Sequence, residues 1–558
     1  MTYLTGAMPY PPDTIAEYVR QGWWQNETYV DVFERAVRRD PLREALVDDR
    51  RRLTWADLER EVHALACALH DRGVGRHDRV LVQLPNRAEY VVAFYAAQHL
   101  AAVPVLAVPR VGASELRALL ELTEPAAWLF PLRDGRRDFA SVLEALTDHP
   151  QLPPLRVVVN DEEPPIAGTT PLSELIAGRE PAPCREVLEG LPRPDPNDVA
   201  AIFLTGGATG RSKAVPRTHN SFLGNIRVIA ASGSSEAVAL ASTPVAHGMA
   251  NQGPLGGWII HGSRVVMIGS PGARAVLEAV SREKVTGMAL VPAQLGDVLD
   301  DPDLDSYDLS SVGFLATTSA QLSPELARRA RDFCARRGIR FGGSAYGCTE
   351  GPTAGHGRDE PSENLLSSIG KPTSPGHQWV VLGADEEELA PGEVGELAAR
   401  GPSVFTGYYR APEDNARIFT ARGFYRTGDQ GYIDADGYIH ITGRLKDIIQ
   451  RGGEAVVPTE IEELVAEHPA VARVAVVAMP DVRLGERACA CVVLTPGAKL
   501  ALDGLVDFMR ARGAGPLQWP ERLEVFEALP ETAVGKQDRA ALRREVAARV
   551  QQDSQRRD

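Results

Sequence analysis

The sequence predicts an α/β protein with a large N-terminal domain of layered α/β subdomains, a β subdomain, and a small C-terminal α/β domain. Three observations predict it. Short apolar runs alternate with helix-patterned stretches through most of the chain. Short strands separated by Gly appear near Gly395 and Gly437, and a fresh helix–strand series begins beyond Gly443. At 558 residues the chain is too long for a single core, so two or more domains are expected.

The elements follow in order. Thr54-Trp-Ala-Asp57 reads as a capping box, and Leu58, Val62, Leu65, Ala66 and Leu69 continue it at helical spacing as far as Gly73. A strand at 80–84, a helix at 88–101 and a strand at 103–108 make a βαβ unit on a parallel sheet. The arm before Val199, with Pro-rich pieces at 153–155, 162–165 and 181–183, reads as loop and linker. Apolar runs at 199–204, 237–241, 264–268, 288–291 and 312–315 read as further strands, with a helix at 325–337. Residues 395–400 and 437–442 form the small β subdomain. Beyond Asp447 come a helix at 458–467, strands at 471–478 and 488–494, a helix at 502–512 and a strand at 523–526. About a hundred residues is enough for a small domain with its own core.

Composition narrows the function. The formal charge of −15 leaves no excess of Lys and Arg to neutralise a nucleic-acid backbone, so an anionic ligand must be held by local devices. The six cysteines are scattered without a Cys-x-x-Cys pair, which fits free thiols in a reducing compartment better than disulfides or zinc. The N-terminus lacks a basic region followed by an apolar one, and no apolar run approaches membrane-spanning length. A soluble, cytoplasmic protein that binds neither nucleic acid nor membrane is expected.

The chain is organised around Leu204-Thr-Gly-Gly-Ala-Thr-Gly-Arg-Ser-Lys213, which follows an apolar strand. Gly206, Gly207 and Gly210 let the backbone turn tightly and bring its N–H groups onto phosphate oxygens. Thr205, Thr209 and Ser212 add hydroxyl donors, and Lys213 adds a mobile point charge. The stretch is a polyphosphate cradle, although alone it also reads as a surface turn. It is not a Walker loop, because Arg211 and Ser212 separate the last Gly from Lys213.

Four more segments carry chemistry. Tyr346-Gly-Cys-Thr-Glu350 offers an aromatic face for a base, a hydroxyl and a carboxylate; beside a phosphate cradle the carboxylate reads as a ligand to Mg²⁺. Tyr425-Arg-Thr-Gly-Asp429 sets a carboxylate at a Gly turn after a strand, where it could accept from ribose hydroxyls or merely cap the turn. Gly443-Arg-Leu-Lys-Asp447 joins the two domains and fits a hinge or a plain linker. Gly535-Lys536 places one Lys on a Gly-containing loop near the C-terminus.

These segments, together with Gly395-Glu396 and Gly407-Tyr-Tyr409, occur in the order that resembles the adenylate-forming superfamily of acyl-CoA synthetases, peptide-synthetase adenylation domains and luciferases. Gly22-Trp-Trp24, Val82-Gln-Leu-Pro-Asn86, Val215-Pro-Arg-Thr-His219, Ala246-His247, Arg451-Gly-Gly-Glu454 and Met479-Pro-Asp481 are most similar to stand-alone aryl-acid AMP ligases. The resemblance implies a large domain over 1–443, a hinge at 444–447 and a mobile small domain over 448–558. It implies ATP and Mg²⁺ as cofactors, an aromatic carboxylic acid as substrate, and a carrier-protein phosphopantetheine thiol or CoA as acceptor. Thr205, Gly206, Gly207, Thr209, Gly210, Ser212 and Lys213 would hold the β- and γ-phosphates. Glu350 would bind Mg²⁺, Thr349 would lie near the α-phosphate and Tyr346 against adenine. Asp429 and Arg444 would hold the ribose, Lys536 would bridge the substrate carboxylate and the α-phosphate, and Lys446 would be the pivot.

His247, Gly248, Thr318, Ser319 and Ala320 would line the acid pocket, and here the chain departs from the pattern. Aryl-acid ligases of the siderophore type carry Asn where this chain has Gly248, and Gly-Gly-Ala where it has Thr318-Ser319-Ala320. One change removes a polar arm; the other adds bulk and hydroxyls. The expected acid is therefore an aryl or heteroaryl acid substituted or shaped differently from salicylate or dihydroxybenzoate, the alternative being a neutral exchange that only repacks the pocket. An aryl- or acyl-CoA ligase, or a member using the adenylate for other chemistry, is the alternative.

Overall fold

The computed structural model describes every residue except 1–2, 136, 160–165, 206–212, 319–321, 358–359, 361, 452–453, 482, 513, 533–535 and 556–558. The chain packs as two compact units: Met1–Gln378 with Ala399–Tyr425, and Trp379–Ala398 with Arg426–Asp558. The expected junction at 444–447 falls inside the second unit.

The first unit is built on two sheets. The seven-stranded sheet is parallel through Val103–Leu106, Arg79–Val82, Ala127–Pro131 and Leu155–Val159; Val199–Thr205 adds to one side and pairs antiparallel with Lys213–Thr218. The nine-stranded sheet has a parallel centre of Glu44–Val47, Arg264–Met267, Val238–Ala241, Gly287–Leu290, Phe314–Thr318 and Arg340–Gly347. One apolar core lies against this sheet, where Val276, Leu277 and Val280 of one helix and Ala327, Ala330 and Phe333 of another meet strand residues such as Val266, Leu290 and Leu315.

Local chemistry explains the helices. Trp55–His70 opens on the expected capping box, with Thr54 and Asp57 satisfying each other's backbone N–H groups. Thr28 and Asp31 do the same for Tyr29–Arg39. Ala88–His99 is apolar all round and buried along its length apart from Glu89, as a helix enclosed on every side must be. It stops short of 101 because Ala101 takes φ of 51°.

Two expectations need correction. The arm before Val199 is not mere linker: Leu155–Val159 is a strand paired to Ala127–Pro131, and Pro181–Glu189 is a helix with Pro at its first turn, where the missing N–H costs nothing. Pro here starts the helix rather than breaking it. Tyr425–Asp429 is no turn after a strand but the first half of the continuous strand Tyr425–Ile433; Gly428, at φ of 72°, bends the strand from within.

The second unit holds two antiparallel systems. One includes Tyr425–Ile433 paired with Ile439–Arg444. The other is centred on Val471–Asp481 and Gly485–Leu494, with Arg522–Val525 added in parallel. Alternation along Val471–Asp481 sends Val474, Val476 and Ala478 to a core shared with the helices Pro458–Ala466 and Leu502–Ala511. Ala475, Val477 and Met479 face a second core with Leu542 and Val546 of the last helix, Arg539–Gln555.

Among the described residues no helix is long and apolar enough to cross a membrane, and the cysteines are free thiols.

Candidate functional site

In the first unit the predicted residues gather at the carboxyl ends of parallel strands, where open α/β sheets bind ligands. Thr205 ends its strand and lies directly opposite Lys213, so the hairpin sets these two residues at the base of the glycine loop. Gly206, Gly207, Thr209, Gly210 and Ser212 lie outside the described residues. The Lys213 ammonium is 3.3 Å from Asp414 Oδ1 and 4.5 Å above the Tyr408 ring centre. The same Tyr408 donates its hydroxyl to Glu350 Oε1 at 2.8 Å. Burial first, and then the neighbouring Glu350 carboxylate, hold the Tyr408 phenol protonated far above its ordinary range. One aromatic ring thus connects the predicted phosphate lysine to the predicted metal carboxylate.

Glu350 is 7% exposed. Tyr408 occupies one of its oxygens, and the other has no hydrogen-bond partner among the described residues. A carboxylate oxygen left over in a nearly closed site suits a hard cation. Among the described residues no group of three or more metal-ligating side chains occurs. That donor set fits Mg²⁺, which is usually held by one or two carboxylates together with substrate phosphates.

Arg217 carries the turn that presents Thr349 and Glu350. It is fully buried, and its guanidinium donates to Thr349 O and Ser403 O, each at 2.8 Å. Burial lowers its pKa from the usual arginine range. Ser403 Oγ donates to Gly351 O at 2.7 Å, which leaves it to accept from His377 Nε2. Gly351 has φ of 123°, and a Cβ there would sit 1.7 Å from Ser403 O, so only Gly fits. Thr349 to Gly351 is therefore clamped from below by a buried cation and from the side by backbone.

Tyr346 is the penultimate residue of the strand Arg340–Gly347, and Thr318 pairs in parallel register with Ala345, one residue before it. Ser319 and Ala320 lie outside the described residues. His247 caps the short helix Gly248–Gln252, its Nδ1 accepting from Met249 N at 3.3 Å. Gly248 is buried beside the Glu350 turn: a Cβ built on it would lie 3.7 Å from Thr349 Oγ1 and 3.6 Å from Gln252 Nε2. Predicted acid pocket and predicted nucleotide motif are therefore adjacent.

The second unit holds the other predicted residues. Asp429 is 2% exposed and stands directly across the strand pair from Arg444, whose Nε is 2.8 Å from Asp429 Oδ1. Thr427 Oγ1 holds the Asp429 backbone N–H at 3.1 Å. Lys446 lies in the turn Leu445–Asp447, which Arg543 grips by donating to Lys446 O at 3.1 Å and Asp447 Oδ1 at 3.2 Å. Packing against its neighbours, with Arg444 and Arg543 close by, lowers the Lys446 pKa. Lys536 lies on a separate hairpin closed by Thr532 N to Lys536 O at 2.6 Å and Lys536 N to Thr532 Oγ1 at 3.1 Å.

Arg217, Tyr408 and Gln252 were given no role from the sequence. Arg217 had a legible signal, since a cation following the apolar run Ala214-Val-Pro216 in a buried strand demands buried acceptors. Tyr408 had none beyond its motif, because its partners are remote in sequence.

The family profile described as AMP-binding enzyme matches residues 33–409, and that described as AMP-binding enzyme C-terminal domain matches residues 460–536. The chain is 34% identical to the 2,3-dihydroxybenzoate-AMP ligase of Bacillus subtilis, over 98% of this chain and 99% of that protein. It is 33% identical to the salicyl-AMP ligase / salicyl-S-ArCP synthetase of Mycobacterium tuberculosis, over 97% and 95%. Among solved structures it is similar to apo MbtA of Mycobacterium smegmatis, with 31% identity, a TM-score of 0.71, and coverage of 97% and 99%.

Proposed function

The chain belongs to the AMP-binding enzyme family, and from that premise we propose that it is an ATP-dependent carboxylate–AMP ligase that activates an aryl or heteroaryl acid and passes the acyl group to a thiol. The acid's carboxylate oxygen attacks the α-phosphorus, the bond to the β-phosphate breaks, and acyl adenylate and pyrophosphate form. A thiol, that of a carrier-protein phosphopantetheine or of CoA, then attacks the acyl carbon; AMP leaves and the thiol proton goes to solvent. No general base is required in the first step, since the nucleophile arrives as an anion.

The observation that carries this reading is Glu350, buried, with one oxygen fixed by Tyr408 and the other uncommitted beside the Thr349 turn. Bound Mg²⁺ would supply charge neutralisation on the polyphosphate, with Glu350 as its protein ligand. Thr205, Lys213 and the glycine loop orient the β- and γ-phosphates; Lys213 exchanges Asp414 for phosphate, a stronger anion. Tyr346 stacks on the base, and Asp429 with Arg444 takes the ribose hydroxyls. Lys536 serves where acid and α-phosphate must be brought together, and a preorganised cation lowers the cost of aligning two anions. Lys446 is the pivot that withdraws Lys536 before thiol transfer.

The test is acid-dependent exchange of labelled pyrophosphate into ATP, followed by acyl transfer to a carrier protein or to CoA. Exchange that depends on an aromatic acid and on Mg²⁺ is expected. Lys536→Ala is expected to abolish exchange yet retain thiol transfer from a synthetic acyl adenylate. Equal loss of both steps would reject the assignment of Lys536 to the first half-reaction.

A further inference from the structure

Among the described residues one side-chain amide, that of Gln252, lies beside Gly248, and its direction is set from behind. Gln252 is 7% exposed and lies one helical turn beyond Gly248, on the same face of Gly248–Gln252. Its Oε1 accepts from Asn225 Nδ2 at 2.9 Å, and Asn225 Oδ1 accepts from Thr353 Oγ1 at 3.1 Å. Thr353 Oγ1 and Thr373 Oγ1 are 2.6 Å apart. Since Thr353 spends its hydrogen on Asn225, Thr373 donates to Thr353, and the whole relay runs one way. It ends on Gln252, whose oxygen is committed and whose NH₂ is not.

That NH₂ has no hydrogen-bond partner among the described residues and lies 3.6 Å from where a Gly248 Cβ would be. Thr349 Oγ1 is 3.7 Å from the same point. Gly248 does not have positive φ, and the added Cβ would make only ordinary contacts, so the backbone does not require glycine there. With no side chain on Gly248, none stands between a ligand and this amide, and a ligand that shuts water away from it must accept from it or bear the cost of an unpaired donor.

We propose that Gln252 is a specificity-determining residue that donates to an acceptor on the ring of the acid, so that the substrate is a heteroaryl acid with a ring nitrogen turned toward Gly248. This rests on the reading of the chain as an aryl-acid ligase and names the acid's class. A ring nitrogen supplies an in-plane lone pair and brings no hydrogen that would need an acceptor of its own. A hydrocarbon edge in the same place leaves the amide unpaired, which is how a site rejects an analogue it would otherwise fit.

Matched acids test it in the pyrophosphate-exchange assay: quinoline-2-carboxylate against 2-naphthoate, pyridine-2-carboxylate and pyridine-3-carboxylate against benzoate, with salicylate included. In at least one pair the nitrogen-bearing acid is expected to show a kcat/KM at least about tenfold above its hydrocarbon partner, and to exceed salicylate. Gln252→Glu keeps an oxygen for Asn225 but replaces the donor with an oxygen, and is expected to erase that ratio. Asn225→Asp works without touching the pocket. It removes the donor behind Gln252, so the amide rotates to donate backwards and presents its oxygen instead, with the same loss of ratio. A merely structural role would lower all acids alike and leave the ratios intact. Equal turnover within every pair, a preference for salicylate, or ratios unchanged in both variants would overturn the proposal while the ligase reading stands. Exchange with no acid at all would overturn the ligase reading and this proposal with it.

Discussion

Arg217 is the clearest case of a side chain that acts without touching any reacting atom. It is fully buried and its hydrogen bonds go to backbone carbonyls, so its work is to fix where the Thr349–Glu350 turn sits. Removing it strands two carbonyls in a closed interior, each at about 1–3 kcal/mol. Arg217→Met is therefore expected to lower the melting temperature and to raise the Mg²⁺ concentration needed for half-maximal exchange. An unchanged Mg²⁺ requirement in a folded variant would mean that the turn holds its place unaided. At this scale residue type and spacing single out Lys213, Glu350 and Asp429 as candidates, because their chemistry is local to a motif, while Arg444 is marked only by the family resemblance. The sequence is silent on Tyr408 and Gln252, whose significance depends on Glu350, Asn225 and Thr353, brought close only by folding.

Among the elements, the turn after Arg340–Gly347 and the strand Tyr425–Ile433 each depend on one glycine. Gly351→Ala would force a methyl to 1.7 Å from Ser403 O at a φ of 123°. Its backbone conformation alone costs about 1–3 kcal/mol, and the clash adds to that. The expected outcome is loss of exchange with a lower melting temperature, whereas Gly296→Ala, inside the helix Pro292–Leu299 with open space around it, should melt no lower than the parent. Element types are legible where a single period dominates, as in Trp55–His70 or the strands Val238–Ala241, Arg264–Met267, Gly287–Leu290 and Phe314–Thr318. They were misread where Pro and Gly were taken as punctuation: Pro181 starts a helix, and Gly428 lies inside a strand. Both residues constrain φ, and only the surrounding chain decides whether that constraint ends an element or shapes it.

For the molecule as a whole, three buried imidazoles set a dependence on acid. Burial holds His99 and His219 down to about 3 and His377 to about 4. His219 Nδ1 accepts from Tyr29 N at 3.1 Å, a bond that protonation at that nitrogen would break. Their folded values lie below the ordinary 6.5, so the stability they provide is complete above about pH 6.5 and is lost as pH falls toward 4 and 3. Each contributes a slope of up to about 1.4 kcal/mol per pH unit in that window. The melting temperature is expected to fall between pH 6.5 and 5, and His219→Gln to flatten that fall; an equally steep fall in the variant would remove His219 from the account.

The layered architecture was visible in the sequence, because apolar periodicity reports layers, and so was the grouping of residues 395–400 with 437–442 in a small β subdomain. The interleaving of the parts was not: Trp379–Ala398 packs in one unit with Arg426–Asp558, while Ala399–Tyr425 between them belongs to the first. That interleaving matters when the chain is made. As it leaves the ribosome, Trp379–Ala398 emerges before any of its packing partners and must wait, uncovered, while Ala399–Tyr425 completes the earlier body. A gene fragment ending at Phe424 would carry those strands without Tyr425–Ile433 and Ile439–Arg444, which complete their sheet, and a clean severance of the protein into halves at one peptide bond is denied by its own connectivity.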